Sequence, residues 1–270
     1  MTALSRYADR RVLITGGGSG IGQATVLRIL GEGGHVVAAD VSEPGLADTV
    51  GKAGALADRL DTVVLDVSDE ESVQAGVAEA TRLLGGAIDT LVNAAGILRS
   101  AHLEKTTVAD FTEVLQINLV GTFLVIRESL PALRTGNKPA VVNFSSTSAN
   151  FAHPYMSAYA ASKGGVQAMT HALAMEFSKE SIRFNSVQPG SIASGMTDGS
   201  GESKRSIGPG LPADADYSMF GKVAPMLPID GGKAIFAQPD AVAAVVAMLG
   251  SADAYFVTGT EVRVDGGSHM

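Results

Sequence analysis

Tyr159 and Lys163 stand four residues apart in the apolar stretch Y-A-A-S-K. On a helix that spacing places them one above the other on a single face. A phenol beside an ammonium group has a chemical use. Phenols titrate near ~10, and a neighbouring positive charge favours the phenolate, drawing that value toward neutrality. There a tyrosine exchanges protons with an alcohol or a ketone. Tyr and Lys meet at this spacing on many helices, so the reading depends on the elements around the pair.

The first of those elements lies near the N-terminus. Residues 11–15, R-V-L-I-T, form an apolar, β-branched run suited to a buried parallel strand. G-G-G-S-G-I-G follows, and then the amphipathic stretch Q-A-T-V-L-R-I-L. Strand, glycine turn and helix start in that order predict a phosphate-binding turn. Gly16 permits the tight turn, Gly20 lets backbone approach a pyrophosphate, and Gly22 lets helix and strand pack closely. The helix N-terminus adds free N–H groups and the positive end of its dipole. The spacing is G-x-x-x-G-x-G, a variant of the usual dinucleotide fingerprint. A second strand, H-V-V-A-A-D at 35–40, ends in Asp40, eighteen residues beyond Gly22. A carboxylate there accepts hydrogen bonds from both adenosine ribose hydroxyls and repels a 2′-phosphate, which selects NAD over NADP. Val41 and Ser19, where a basic residue would favour that phosphate, point the same way.

Together these pieces resemble the short-chain dehydrogenase/reductase (SDR) family, from about Arg11 to Gly267. The matching segments are T-G-G-G-S-G-I-G (15–22), D-V (66–67), N-A-A-G (93–96), Asn118 in Q-I-N-L, S-S (145–146), Y-A-A-S-K (159–163), P-G-S-I (189–192) and V-D-G-G (264–267). The resemblance implies a Rossmann-type α/β fold, a doubly wound parallel sheet with helices on both faces, in a single domain over 1–270. It also assigns roles. The family's catalytic serine lies thirteen residues before its tyrosine, which selects Ser146 over Ser145. Ser146 is then expected to bind the substrate oxygen, and Tyr159 to be the general acid or base. Lys163 is expected to lower the tyrosine pKa and bind the nicotinamide ribose, and Asn118 to hold a water linking Lys163 to solvent. Asn118 read as a buried, satisfied amide at a helix kink is compatible with that role. The remaining implied contacts to NAD fall on Ser19 and Ile21 in the glycine turn, Asp66 and Val67 at the adenine, and Asn93, Ala94, Ala95 and Gly96 along the adenosine. Pro189, Gly190 and Ile192 are placed at the carboxamide, with Ser194 where the family often has threonine.

Composition agrees with an enzyme of this class. The 270 residues are 46% hydrophobic, enough for one substantial core. The net charge of −8 and the absence of a basic cluster argue against a nucleic-acid partner. The lack of cysteine excludes disulfides, thiol catalysis and thiolate-bound metals. The five histidines, at 35, 102, 153, 171 and 269, show no ligand spacing, so no metal is expected. Ten residues precede the first strand, too few for a signal peptide, and the run A-V-A-A-V-V-A-M-L at 241–249 is too short to span a bilayer. A cytoplasmic protein without a membrane partner is expected.

Residues 193–238 are dense in Gly, Ser and Pro and predict a mobile loop, which the resemblance implies covers the substrate. Met219, Phe220, Met226, Leu227 and Ile229 either line an apolar pocket under it or anchor it. Phe151, His153, Tyr155 and Met156, between Ser146 and Tyr159, are placed to touch substrate. The resemblance implies a homotetramer, and the S-H-M after V-D-G-G is too short to wrap around a partner. The expected activity is hydride exchange between NAD and a secondary alcohol or ketone. Reduction of 3-oxoacyl thioesters, hydroxysteroid or sugar-alcohol oxidation, and a non-catalytic NAD sensor are the alternatives.

Overall fold

Buried strands on both faces need consecutive apolar residues, and the chain supplies them. β1 (Arg11–Thr15), β2 (His35–Asp40), β4 (Thr90–Asn93), β5 (Ala140–Phe144) and β6 (Arg183–Pro189) are buried almost throughout. β3 (Leu60–Val64) and β7 (Glu261–Val264) are more exposed, as befits strands at the two edges. In the computed structural model all seven pair in parallel, in the order β3-β2-β1-β4-β5-β6-β7. Residues 5–198, 210–222, 224–229 and 236–270 are described.

The helices are α1 (Gly20–Gly31), α2 (Glu43–Ala53), α3 (Glu70–Leu83), α4 (Val108–Leu115), α5 (Gly121–Arg134), α6 (Ser157–Glu176), α7 (Gly195–Asp198) and α8 (Pro239–Gly250). Successive side chains of a strand point to opposite faces, and β1 divides accordingly. Leu13 packs into one core with residues of α3, α5 and α6, while Val12 and Ile14 join the other with α1 and α8. Helices therefore cover both faces, the doubly wound Rossmann-type arrangement. The run at 241–249 lies within α8, whose Val242, Val246 and Leu249 are fully buried. Among the described residues one helical stretch, Val108–Arg134, has the length and composition of a membrane span. Its Leu124, Val125, Ile126 and Leu133 pack into the core.

Two features of this frame locate a site. β1 is flanked by β2 on one side and β4 on the other, so the strand order reverses there and the chain leaves the strand ends in opposite directions. In open α/β sheets ligands bind in the crevice at such a switch point. At the opposite end of the same strands, buried Asp89 ties the sheet together. Its carboxylate accepts from the Arg11 backbone N–H (2.8 Å), the Arg11 guanidinium and the Asn137 backbone N–H (2.6 Å).

Candidate active site

The turn after β1 is built by contact distances. Gly16 has φ +72°, and a Cβ there would lie 2.7 Å from the Ala95 nitrogen. A Cβ on Gly22 would sit 2.0 Å from the Gly16 carbonyl oxygen, closer than atoms approach, so α1 begins flush against the turn. Ser19 occupies the N-cap with extended backbone and no side-chain cap bond, and the first turn holds no acid. The opening N–H groups of α1 therefore lack an intrahelical acceptor and keep their dipole uncompensated, a ready anion site. Ser194 approaches from the other side, its Cβ 3.3 Å from where a Cβ of Gly20 would stand.

Asp40, at the end of β2, is oriented by backbone. One carboxylate oxygen accepts from Gly18 N–H and the other from Ser42 N–H, each at 2.9 Å. Asp66 lies two residues past β3, where one of its oxygens accepts from the Ser68 N–H (2.9 Å) and hydroxyl (2.6 Å). That short turn leads the chain toward α3.

At the other end, α6 carries Tyr159 and Lys163 as the spacing predicts, Lys163 buried and Tyr159 partly buried. The Ser146 hydroxyl stands close enough to the phenol to favour its charged form, and it accepts from the Ser148 N–H at 3.2 Å. Ser145 is spent elsewhere, donating to the Lys163 carbonyl at 3.0 Å. Of the two serines, Ser146 is the one whose hydroxyl faces the phenol. Lys163 donates to the Phe144 carbonyl at 2.7 Å, and its ammonium lies 5.7 Å from the Tyr159 ring centroid.

The electrostatics depart from the sequence expectation that Lys163 draws the phenol downward. Burial pushes the Tyr159 phenol above its ordinary value, and the nearby Ser146 hydroxyl opposes this only in part. Burial also pulls the Lys163 ammonium down to about 8. Desolvation disfavours each charged form, and it prevails because the ammonium bonds the Phe144 carbonyl rather than the phenol oxygen.

Asn118 lies in a π-helical turn, Gln116–Val120, between α4 and α5. Its backbone carbonyl accepts from the Thr122 hydroxyl at 2.8 Å. Its amide accepts from Ile97 N–H (2.7 Å) and donates to the Ile97 carbonyl (2.9 Å) and Ser162 Oγ (3.0 Å). It is a fully buried, satisfied amide that clamps the strand-β4 loop to α6.

A cleft of about 1080 Å³ joins these parts, from Asp40 and Val41 past the glycine turn to Ser146, Tyr159 and Lys163. Gly16, Ser19, Gly20, Ile21 and Gly22 line it at the turn, and Asp66, Val67, Ala94, Ala95 and Gly96 along the side. Pro189, Gly190, Ile192 and Ser194 close it opposite. Two expected members stand behind the wall. Asn118 is one. Asn93 is the other: its amide donates to Asn143 Oδ1 at 2.9 Å inside the sheet. The sequence reading missed Gln23, Asp48 and Lys52 near Asp40, and Gln238 and Asp240 at the start of α8. Only Gln23, directly after Gly22, had a local signal.

The apolar candidates lie elsewhere. Met219, Met226 and Leu227 are exposed, Phe220 packs 6.3 Å from the Tyr155 ring, and none lines the cleft. Residues 199–209, 223 and 230–235 of the expected covering loop lie outside the described residues. Among the described residues, no three His, Asp or Glu side chains converge on a point that could hold a metal ion.

This fold and cleft define a dinucleotide-type oxidoreductase scaffold, and comparison with known proteins specifies it. The family described as short chain dehydrogenase matches residues 10–205, and the chain belongs to it. It is 35% identical to a 3-oxoacyl-[acyl-carrier-protein] reductase of Thermotoga maritima, over 97% of this chain and 98% of that one. It is 38% identical to a levodione reductase of Leifsonia aquatica, over 99% and 98% of the two chains. A solved dehydrogenase/reductase from Sinorhizobium meliloti superposes with a TM-score of 0.82 at 30% identity, covering 98% of each chain. Members of this family are oxidoreductases that act on CH–OH or keto groups with a nicotinamide cofactor.

Proposed function

We propose that the chain is an NAD-dependent oxidoreductase that interconverts a secondary alcohol and a ketone, with Tyr159 as general acid and base. The observation that carries this reading is the convergence of Tyr159, Ser146 and Lys163 in one cleft whose far end is Asp40. The cleft suits a dinucleotide on its own evidence: Gly16 and Gly22 leave no room for a side chain, and α1 opens without a cap. The helix start and Ser194 would hold the pyrophosphate, Asp40 the adenosine ribose, Lys163 the nicotinamide ribose and Pro189–Ile192 the carboxamide. When bound, the cofactor supplies the hydride exchange.

The chain's own residues do the rest. Ser146 hydrogen-bonds the reacting oxygen and stabilises charge that develops there. A phenol whose pKa is raised by burial keeps its proton at neutral pH, the state needed to protonate a ketone oxygen during reduction. Oxidation needs the phenolate, so its rate should climb with pH while reduction falls. Lys163, protonated below about 8, lowers the cost of that phenolate. The Asn118 backbone carbonyl accepts from the Thr122 hydroxyl, and its second lone pair is a suitable anchor for a water that resupplies protons to Lys163. We expect Tyr159→Phe to lower kcat by roughly 10²–10⁴-fold, with cofactor affinity unchanged. Turnover close to wild type would refute the assignment.

Asp40 supports NAD over NADP, since a fixed carboxylate meets a 2′-phosphate with repulsion. Asp40→Ala should raise the NAD KM by roughly tenfold and erode the preference over NADP; an unchanged preference would contradict the carboxylate argument. A second reading, reduction of a 3-oxoacyl thioester, draws support from the Thermotoga maritima relative and from a human (3R)-3-hydroxyacyl-CoA dehydrogenase at 31% identity. A matched panel of acetoacetyl thioester, cyclic ketones, hydroxysteroids and sugar alcohols separates the two. We also infer a homotetramer, supported by exposed Val108, Phe111 and Phe123 on α4 and α5. Light scattering on the purified protein should give four subunits, and a stable monomer would sink that inference.

A further inference from the structure

We propose that His269, beyond the V-D-G-G turn, is a positioning residue for the loop that begins at Ser146, and that it sets substrate affinity without affecting cofactor affinity. This rests on the roles given to Ser146 and Tyr159 above.

The His269 side chain is 7% exposed, and its ring stacks on Phe151 with centroids 4.4 Å apart and planes 25° from parallel. Its Nδ1 lies 3.1 Å from an oxygen of buried Asp265, which fixes the ring's orientation. The Arg263 guanidinium lies 5.2 Å from the Phe151 ring centroid and donates to the His269 carbonyl. Phe151 is therefore gripped from β7 and from the tail together. Its grip reaches the catalytic serine through backbone. The Phe151 N–H donates to the Thr147 carbonyl at 2.9 Å, and the Ala149 N–H to the Ser146 carbonyl at 3.0 Å. His153 adds a second strut: its ring lies 5.4 Å from that of His269, and its Nε2 lies 3.4 Å from the Thr147 hydroxyl.

The same short tail touches two more stretches at this end of the cleft. The Gly190 N–H donates to the Val264 carbonyl at 3.0 Å, and Asp265 Cβ lies 2.7 Å from where a Cβ on Gly190 would stand. The Gly266 carbonyl accepts from the N–H groups of Met226 (2.9 Å) and Leu227 (3.0 Å). A histidine paired with a carboxylate is a costly choice for a buried filler, because both groups lose hydration. It is a good choice where one ring orientation must be held. Reacting groups displaced by as little as ~1 Å lose much of their rate advantage, so a loop carrying Ser146 benefits from such a brace. His269 meets Asp265, Phe151, His153 and Arg263, all at the Ser146 end of the cleft, and this sets substrate effects apart from effects at the glycine turn and Asp40.

The test compares His269→Ala, His269→Phe and His269→Gln in the full chain. The alanine variant should raise substrate KM roughly tenfold, with NADH affinity held within about twofold. His269→Phe keeps a stacking ring and should recover most of the loss, whereas His269→Gln keeps a polar contact to Asp265 and should not. Amide hydrogen exchange gives a readout independent of turnover. Exchange at Ala149 and Phe151 should speed up in His269→Ala, while Gly17 and Leu65, at the cofactor end, stay as in wild type. Unchanged exchange at Ala149 and Phe151 would overturn the proposal, as would a cofactor affinity that falls in step with KM. If the wild-type protein turns over no alcohol or ketone, the proposed function fails, and the exchange comparison still decides the role of His269.

Discussion

Lys163 shows how a catalytic side chain conflicts with the fold that holds it. Burial lowers its ammonium from 10.5 to about 8, so between those values the unfolded chain holds a proton that the folded chain has released. Stability contributed by this residue therefore rises with pH across that window, and below about 8 the fold carries the full cost of a buried charge. Replacing it with an apolar side chain of similar length removes the cost. Lys163→Met should be at least as stable as wild type at neutral pH, with an advantage that shrinks as pH rises toward 10.5, and it should be nearly inactive. Thermal melts across pH check this; a much lower Tm at neutral pH would show that the bond to the Phe144 carbonyl outweighs the desolvation. At this scale the sequence was informative about identity and weak about energetics. Tyr159 and Lys163 were recognisable as a pair from helical spacing, which fixes their relation locally, and Ser146 was picked out by family resemblance. The upward shift of Tyr159 was not, because burial depends on chain segments far away.

Elements position these residues, and their most telling bond lies remote from the cleft. Burial alone would raise the Asp89 pKa, but the Arg11 guanidinium and the backbone N–H groups of Asn137 and Arg11 more than offset it, and the carboxyl titrates below its usual 3.8. A lowered folded pKa means stability that is complete above the unfolded value and lost as pH falls through the folded one. Asp89→Asn should cost roughly 2–4 kcal/mol at neutral pH and flatten the loss of stability below pH ~4. Denaturant melts at several pH values measure both effects; an unchanged acid limb would contradict the account. The strands were legible because burial on both faces demands consecutive apolar residues, as in R-V-L-I-T. At Asn118 the sequence suggested a helix kink, but not that the kink is a π turn, which differs from an α-helix by one hydrogen-bond register and carries no composition of its own. Asn93 is the last residue of β4, and its side chain turns into the sheet to meet Asn143, an orientation that its place in N-A-A-G does not reveal.

For the whole molecule, the parallel sheet and its reversal at β1 bring two motifs more than a hundred residues apart to opposite ends of one cleft. The glycine turn and Y-A-A-S-K were each visible in the sequence, and family resemblance supplied their partnership. What resemblance left out is the wall built by residues distant in the chain, such as Gln238 and Asp240 at the start of α8. The most direct test of the central claim follows NADH absorbance with wild type and Tyr159→Phe side by side, on secondary alcohols with NAD and on the matching ketones with NADH. The account requires turnover in wild type, with oxidation favoured at higher pH and reduction at lower pH, and its collapse in the variant while NADH still binds. Equal turnover by the two proteins would remove Tyr159 from the chemistry and with it the proposed mechanism.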